Sequence, residues 1–134
     1  MTRGLLLVIG ALWITTGIVI FVDPQGFYDT TPGLALMGPF NSHFIRDVGL
    51  AFLASGVAAC AGSWRLDRGL ALAGAAWPFL HALFHIQIWS HRGFPLDAIA
   101  AFDMGAVIAP AFLAAALAWR TGTANPAPRE GVRR

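Results

Sequence analysis

The chain has 134 residues, of which 57% are hydrophobic and 12% charged, with a mean hydropathy of +0.64. A soluble domain carries about 25% charged residues, so this composition excludes an ordinary water-soluble fold and its length allows one domain. The net charge of +2 comes from nine arginines with no lysine, and these form no basic face interleaved with aromatics, which argues against a nucleic-acid partner. Cys60 is the only cysteine, so an intramolecular disulfide and a Cys-based metal cluster are both excluded.

Four apolar runs are long enough to cross a bilayer, which takes about 20 helical residues. They predict an all-α, four-transmembrane-helix bundle spanning 1–120, with helices at about 4–22, 43–64, 69–90 and 97–119. The first run resembles a signal peptide, with Arg3 ahead of Leu5-Leu-Leu-Val-Ile. It lacks a small-x-small cleavage site before Asp23-Pro24, and it reads as a retained helix.

The connection from Asp23 to Asn41 is the longest. Pro24, Gly26, Pro32, Gly33, Gly38 and Pro39 break regular structure there. Phe27, Tyr28, Leu34, Leu36, Met37 and Phe40 are too apolar for a solvated loop. The segment is therefore expected to fold back over the bundle or to lie in the membrane interface. Trp64 to Arg68 is a tight polar turn, and His91 to Leu96 joins the last two helices. The tail, 121–134, is rich in Pro, Gly, Ala and Arg and is expected to be disordered.

Arginine placement predicts orientation. Arg3, Arg65, Arg68, Arg120, Arg129, Arg133 and Arg134 fall on one side of a four-crossing chain, and only Arg46 and Arg92 on the other. By the positive-inside rule both termini are cytoplasmic. Localisation is then a cytoplasmic membrane, crossed several times, with the lipid bilayer as the first partner.

In that topology the ionisable residues collect in the outer half. Asp47 lies ~6 Å below His43 on the second helix, His85 and His81 about 7 and 13 Å below the outer end of the third, and Asp103 ~9 Å into the fourth. His81 and His85 are four apart and share a helix face, as are His43 and Asp47. A charge inside a membrane helix is costly and faces the bundle interior with a partner, and Arg46 is the expected partner of Asp47 or Asp103. Pro78 and Pro110 lie at one level, just below the histidines. They read as ordinary kinks, or else as a splay that opens a cavity above them. Gly10 and Gly17, and Gly49 and Gly56, are seven apart and mark close helix packing, within the chain or between copies.

His43, Arg46, Asp47, His81, His85 and Asp103 are thus the candidate site. Several chemistries fit. His81, His85 and Asp103 are suitable ligands for a divalent transition metal, although the His-Glu-x-x-His signature is absent. His43 with His81 or His85 offers axial nitrogens to haem b, and the lack of Cys-x-x-Cys-His excludes covalent haem attachment. A proton path is poorly served, because the inner half offers only Thr15, Thr16 and Ser55. An apolar pocket with a few polar groups suits a quinone, a lipid head or another amphiphile, with Trp77, Phe84, Trp89 and Phe94 as wall candidates.

At His43-Phe-Ile-Arg-Asp-Val-Gly49, with His81-Ala-Leu-Phe-His85, the chain resembles small bacterial four-helix membrane proteins of unknown function carrying a His-x-x-Arg-Asp-x-Gly motif. In size and architecture it is similar to the DoxX-like set. The resemblance implies a fold and supplies no mechanism. The leading expectation is a small membrane protein that binds a ligand or cofactor at the polar site, as an accessory subunit of a membrane partner or as a homo-oligomer. The alternatives are a membrane enzyme with a His/Asp metal or haem centre, and a purely structural subunit.

Overall fold

The computed structural model describes residues 2–122. Of the tail, 121–134, only Thr121 and Gly122 are among them, and the expected disorder lies outside the described residues. The chain forms α1 (Thr2–Val22), α2 (Pro24–Thr30), a 3-10 turn (Leu34–Leu36), α3 (Ser42–Arg65), α4 (Arg68–His91), α5 (Ala98–Phe102) and α6 (Ala109–Arg120). A π-helical segment, Asp103–Ile108, joins α5 to α6, so that Ala98–Arg120 runs as one long helix. Four helices are long and apolar enough to cross a membrane.

Side-chain caps set where the long helices start. Asn41 accepts from the backbone N–H groups of His43 and Phe44 at the head of α3. Asp67 accepts from Leu70 at the head of α4, and Asp97 from Ala100 at the head of α5. Each cap satisfies N–H groups that the first turn of a helix leaves without a partner. α3 ends at Leu66, whose left-handed φ of 57° reverses the chain while its N–H still reaches the carbonyl of Gly62.

The Asp23–Asn41 connection is more regular than its glycines and prolines suggest. Asp23 caps α2 by accepting from Gly26, and Pro24 sits in the first turn, where its missing N–H costs nothing. Phe27, Tyr28 and Leu34 then pack against the core, and the Tyr28 hydroxyl donates to the Gly38 carbonyl at 2.6 Å. Gly33 has φ +82°, and a Cβ there would stand 2.9 Å from the Ile99 side chain. The connection therefore folds back from the end of α1 as far as the start of α5.

Glycines bring α3 close to both of its neighbours: a Cβ on Gly62 or Gly74 would lie 2.3 Å from backbone nitrogen across the α3–α4 contact, and α1 and α3 pack nearly as closely. A Cβ on Gly17 would lie 2.6 Å from the Gly49 carbonyl, and one on Gly49 would lie 3.0 Å from the Gly17 carbonyl. Gly10 and Gly56 repeat this reciprocal contact one heptad away, so these glycines serve packing within the chain. Leu6, Ile9, Trp13 and Ile20 of α1 fill the same core as Ile45 and Phe52 of α3, together with small residues of α4 and α6. Leu12, Val19, Leu50, Val57, Leu80 and Phe112 are exposed on the outside of the bundle. A surface that apolar is suited to lipid.

The two prolines differ. Pro78 is buried inside α4. Pro110 stands at the first turn of α6, directly after the π-helical segment, where the N–H of Ala109 bonds to the Met104 carbonyl five residues back. A proline ring clashes with the carbonyl four residues before it. The π-helical turn ends at Ile108, two residues before Pro110.

Candidate functional site

The six sequence candidates separate into two groups. α3 is held by Gly49 and Gly56 against α1 and by Phe52 and Ala59 in the core. At 3.6 residues per turn, Asp47 lies ~140° around the helix from Phe52. His43, Asp47 and Leu50 therefore form an outward stripe. His43 Nδ1 and the Asp47 carboxylate meet at 2.8 Å, with side chains 86% and 57% exposed. Arg46, expected to pair with Asp47 or Asp103, instead donates from Nε to the Phe21 carbonyl at 3.2 Å and lies over the Phe21 ring. The end of α1 reaches Arg46 before any carboxylate does. Phe21, Ser42, His43, Arg46, Asp47 and Leu50 line an open groove of 340 Å³.

The second group is buried. Asp103, the first residue of the π segment, is 7% exposed. Its Oδ1 lies 3.0 Å from Nδ1 of His85, whose side chain is 22% exposed. That approach is close but poorly aligned, and Nδ1 makes no hydrogen bond of good geometry. On the far side of the same ring, His85 Nε2 is 3.2 Å from His81 Nε2. The three side chains form a file, Asp103–His85–His81, that crosses from the last long helix to α4.

Aromatic rings enclose the inner end of this file. The His81 ring stacks on Trp77 at 4.7 Å and 12°. Phe52 of α3 meets Trp77 edge-on at 4.9 Å and His81 at 6.1 Å. Phe84 stands edge-on to His85 at 6.4 Å. Trp77 and Phe84 were legible as wall candidates. Phe52 was not, because its position against His81 depends on how α3 is rotated. Trp89 and Phe94 pack on each other, and Trp89 Nε1 donates to the Pro95 carbonyl, which ties them to the α4–α5 turn.

The geometry bears on two metal readings. Among the described residues no group of three His, Cys, Asp or Glu side chains is placed to hold one metal ion. His85 presents one nitrogen to Asp103 and the other to His81, so Asp103 backs the histidine and does not share a point with both rings. The haem pairing of His43 with His81 or His85 is not assembled either, since His43 faces the open groove with Asp47.

Electrostatics at the buried group are constrained by charge. A carboxylate in an apolar bundle needs a proton or a cation beside it. The cation-capable group in contact with Asp103 is His85, and His81 lies behind it. Asp97 lies outside the long helices. Its carboxyl is held below the ordinary carboxylate range, first by the Ala100 N–H and then by the Arg92 guanidinium.

Fold and site together define a helical bundle with four helices of membrane-spanning length and one buried His–His–Asp file. No protein-family model matches the chain, and no curated protein or solved structure shows significant similarity to it.

Proposed function

We propose that the protein is an integral membrane protein, termini on the cytoplasmic side, that binds the polar end of an amphiphilic ligand at His81, His85 and Asp103. The arginine asymmetry supports the orientation. The observation that carries the binding reading is the Nδ1 atom of His85, buried beside a carboxylate without a well-formed hydrogen bond. Such atoms are rare, and an imidazole nitrogen, which can donate or accept, is suited to a ligand hydroxyl or carbonyl. The Trp77–His81 stack and the Phe84 edge supply an apolar wall of the kind a quinone or similar ring would use.

The test is mass spectrometry of small molecules extracted from protein purified in mild detergent. The wild type and His43→Ala should retain a carbonyl- or hydroxyl-bearing amphiphile, and His85→Leu and Asp103→Leu should lose it. Equal yields from all four proteins would end the proposal.

One observation favours a second reading. The two Nε2 atoms face each other at 3.2 Å. Zinc–nitrogen bonds of ~2.0–2.1 Å place neighbouring tetrahedral ligands at about that separation. A carboxylate on the other nitrogen of a ligating histidine is the usual supporting arrangement. In this reading His81 and His85 are the protein ligands, and Asp103 orients His85. Stoichiometric zinc or copper that disappears in His81→Leu would favour it over the organic ligand.

A further inference from the structure

The open groove beside the start of α3 belongs to neither the His–His–Asp file nor its aromatic wall. His43 and Asp47, which line it, turn away from the core. Trp64, exposed at the other end of α3, is placed as an interfacial anchor. At 1.5 Å per residue Asp47 stands ~26 Å along the helix from Trp64, within a hydrocarbon core about 30 Å thick. Ionisable side chains in a membrane helix ordinarily face the bundle interior or a partner. This pair faces outward, so the physical cost calls for a cover of complementary charge.

The same turn of α3 carries both signs. Arg46 spends its Nε on the Phe21 carbonyl, one of the five donors of a guanidinium. Asp47 meets His43 through Oδ2, and a carboxylate has a second oxygen for a guanidinium fork. Two copies inserted in the same orientation are related by a twofold axis along the membrane normal, which keeps each residue at its own depth. Arg46 and Asp47 are adjacent, ~1.5 Å apart along the helix, so the axis sets each Arg46 opposite the Asp47 of the other copy. A face of one sign would repel its own copy, and this face is complementary to itself.

The face continues below the charges. Leu50, Ala54 and Val57 are all exposed. From His43 through Asp47, Leu50 and Ala54 to Val57 the steps alternate between four and three residues, the repeat of a left-handed helix pair. We propose that the His43–Val57 face of α3 is a homodimer interface, closed by reciprocal Arg46–Asp47 pairs. The proposal needs the helices to cross a bilayer and is independent of any ligand at His85.

Subunit counting by single-molecule photobleaching tests it, on the full chain in phosphatidylcholine vesicles. The wild type should bleach in two steps. Arg46→Asp and Asp47→Arg each place like charges across the axis and should weaken pairing roughly tenfold or more, and the exchange Arg46→Asp/Asp47→Arg should restore it. A monomeric wild type would overturn the proposal, as would an exchange variant no better than the single ones. If the charge variants do not fold, cross-linking replaces them. In a Cys60→Ser background Leu50→Cys should form an interchain disulfide, and Leu12→Cys, on the exposed side of α1, should not. Equal cross-linking at the two positions, or none at Leu50→Cys, would overturn it.

Discussion

Two seams of this bundle are built by opposite means. Between α1 and α3, glycines bring backbone against backbone, and Gly17 and Gly49 would each collide with the other's carbonyl if either gained a methyl group. Between α4 and the Asp103–Ile108 segment, the contact is made by imidazole and carboxylate, and the helix itself leaves its α register. In lipid the first arrangement gains from packing alone. The second places imidazole and carboxylate in apolar surroundings and gains less from it than the same volume of leucine would. That cost is the physical ground for proposing a ligand at the second seam.

The largest effect should come from breaking the first seam. Gly17→Ala places a Cβ 2.6 Å from the Gly49 carbonyl, where backbone has to move, and should cost about 1–3 kcal/mol in detergent unfolding. Gly105→Ala, in the π segment, meets nothing within 4 Å and should be neutral or stabilising by up to ~1 kcal/mol. Comparable losses at the two positions would mean that the seams do not differ as described.

Next comes the second seam. His85→Leu and Asp103→Leu should each destabilise by about 1–2 kcal/mol, because each leaves a polar group in the bundle without its neighbour. The double variant should lose less than the sum, with a coupling of about 1 kcal/mol. Strict additivity would mean that the 3.0 Å approach carries no energy. His43→Ala, at an exposed ion pair, should change stability by no more than ~0.5 kcal/mol.

The smallest effect lies outside both seams, at Asp97. Its folded-state pKa is depressed, so its contribution is fully present above the unfolded value of about 3.9 and disappears as pH falls through the lower folded value. Asp97→Asn keeps the cap and loses the pairing with Arg92. Thermal unfolding of the variant and the wild type should differ slightly at neutral pH and converge in acid. A difference that persists at the lowest pH would remove the ionic contribution.

How much of this was legible in the sequence varies with the range of the interaction. Helix number is local and was legible in the four apolar runs, whereas the caps at Asn41, Asp67 and Asp97 that fix three of the starts emerged from the structure. Gly10, Gly17, Gly49 and Gly56 could be recognised as packing residues by their spacing. His81 and His85 share a face because of a four-residue spacing, and Asp103 was placed near His85 by depth along the helices. What spacing could not supply was rotation. Nothing local says that Phe52, and not Asp47, turns toward His81, or that the Phe21 carbonyl reaches Arg46 before a carboxylate. The π segment escaped for a similar reason. Pro110 signals a disturbed helix, but not that the chain widens its turn ahead of the proline instead of bending.

The central claim is that His81, His85 and Asp103 form one contact group, separate from His43. Nitrogen-15 NMR of the histidine rings in the wild type and in Asp103→Leu tests it most directly. The account predicts that the ring signals of both His81 and His85 move in the variant, while those of His43 and His91 are unchanged. Unmoved signals at His81 and His85, or a change at His43 as large as that at His85, would contradict it.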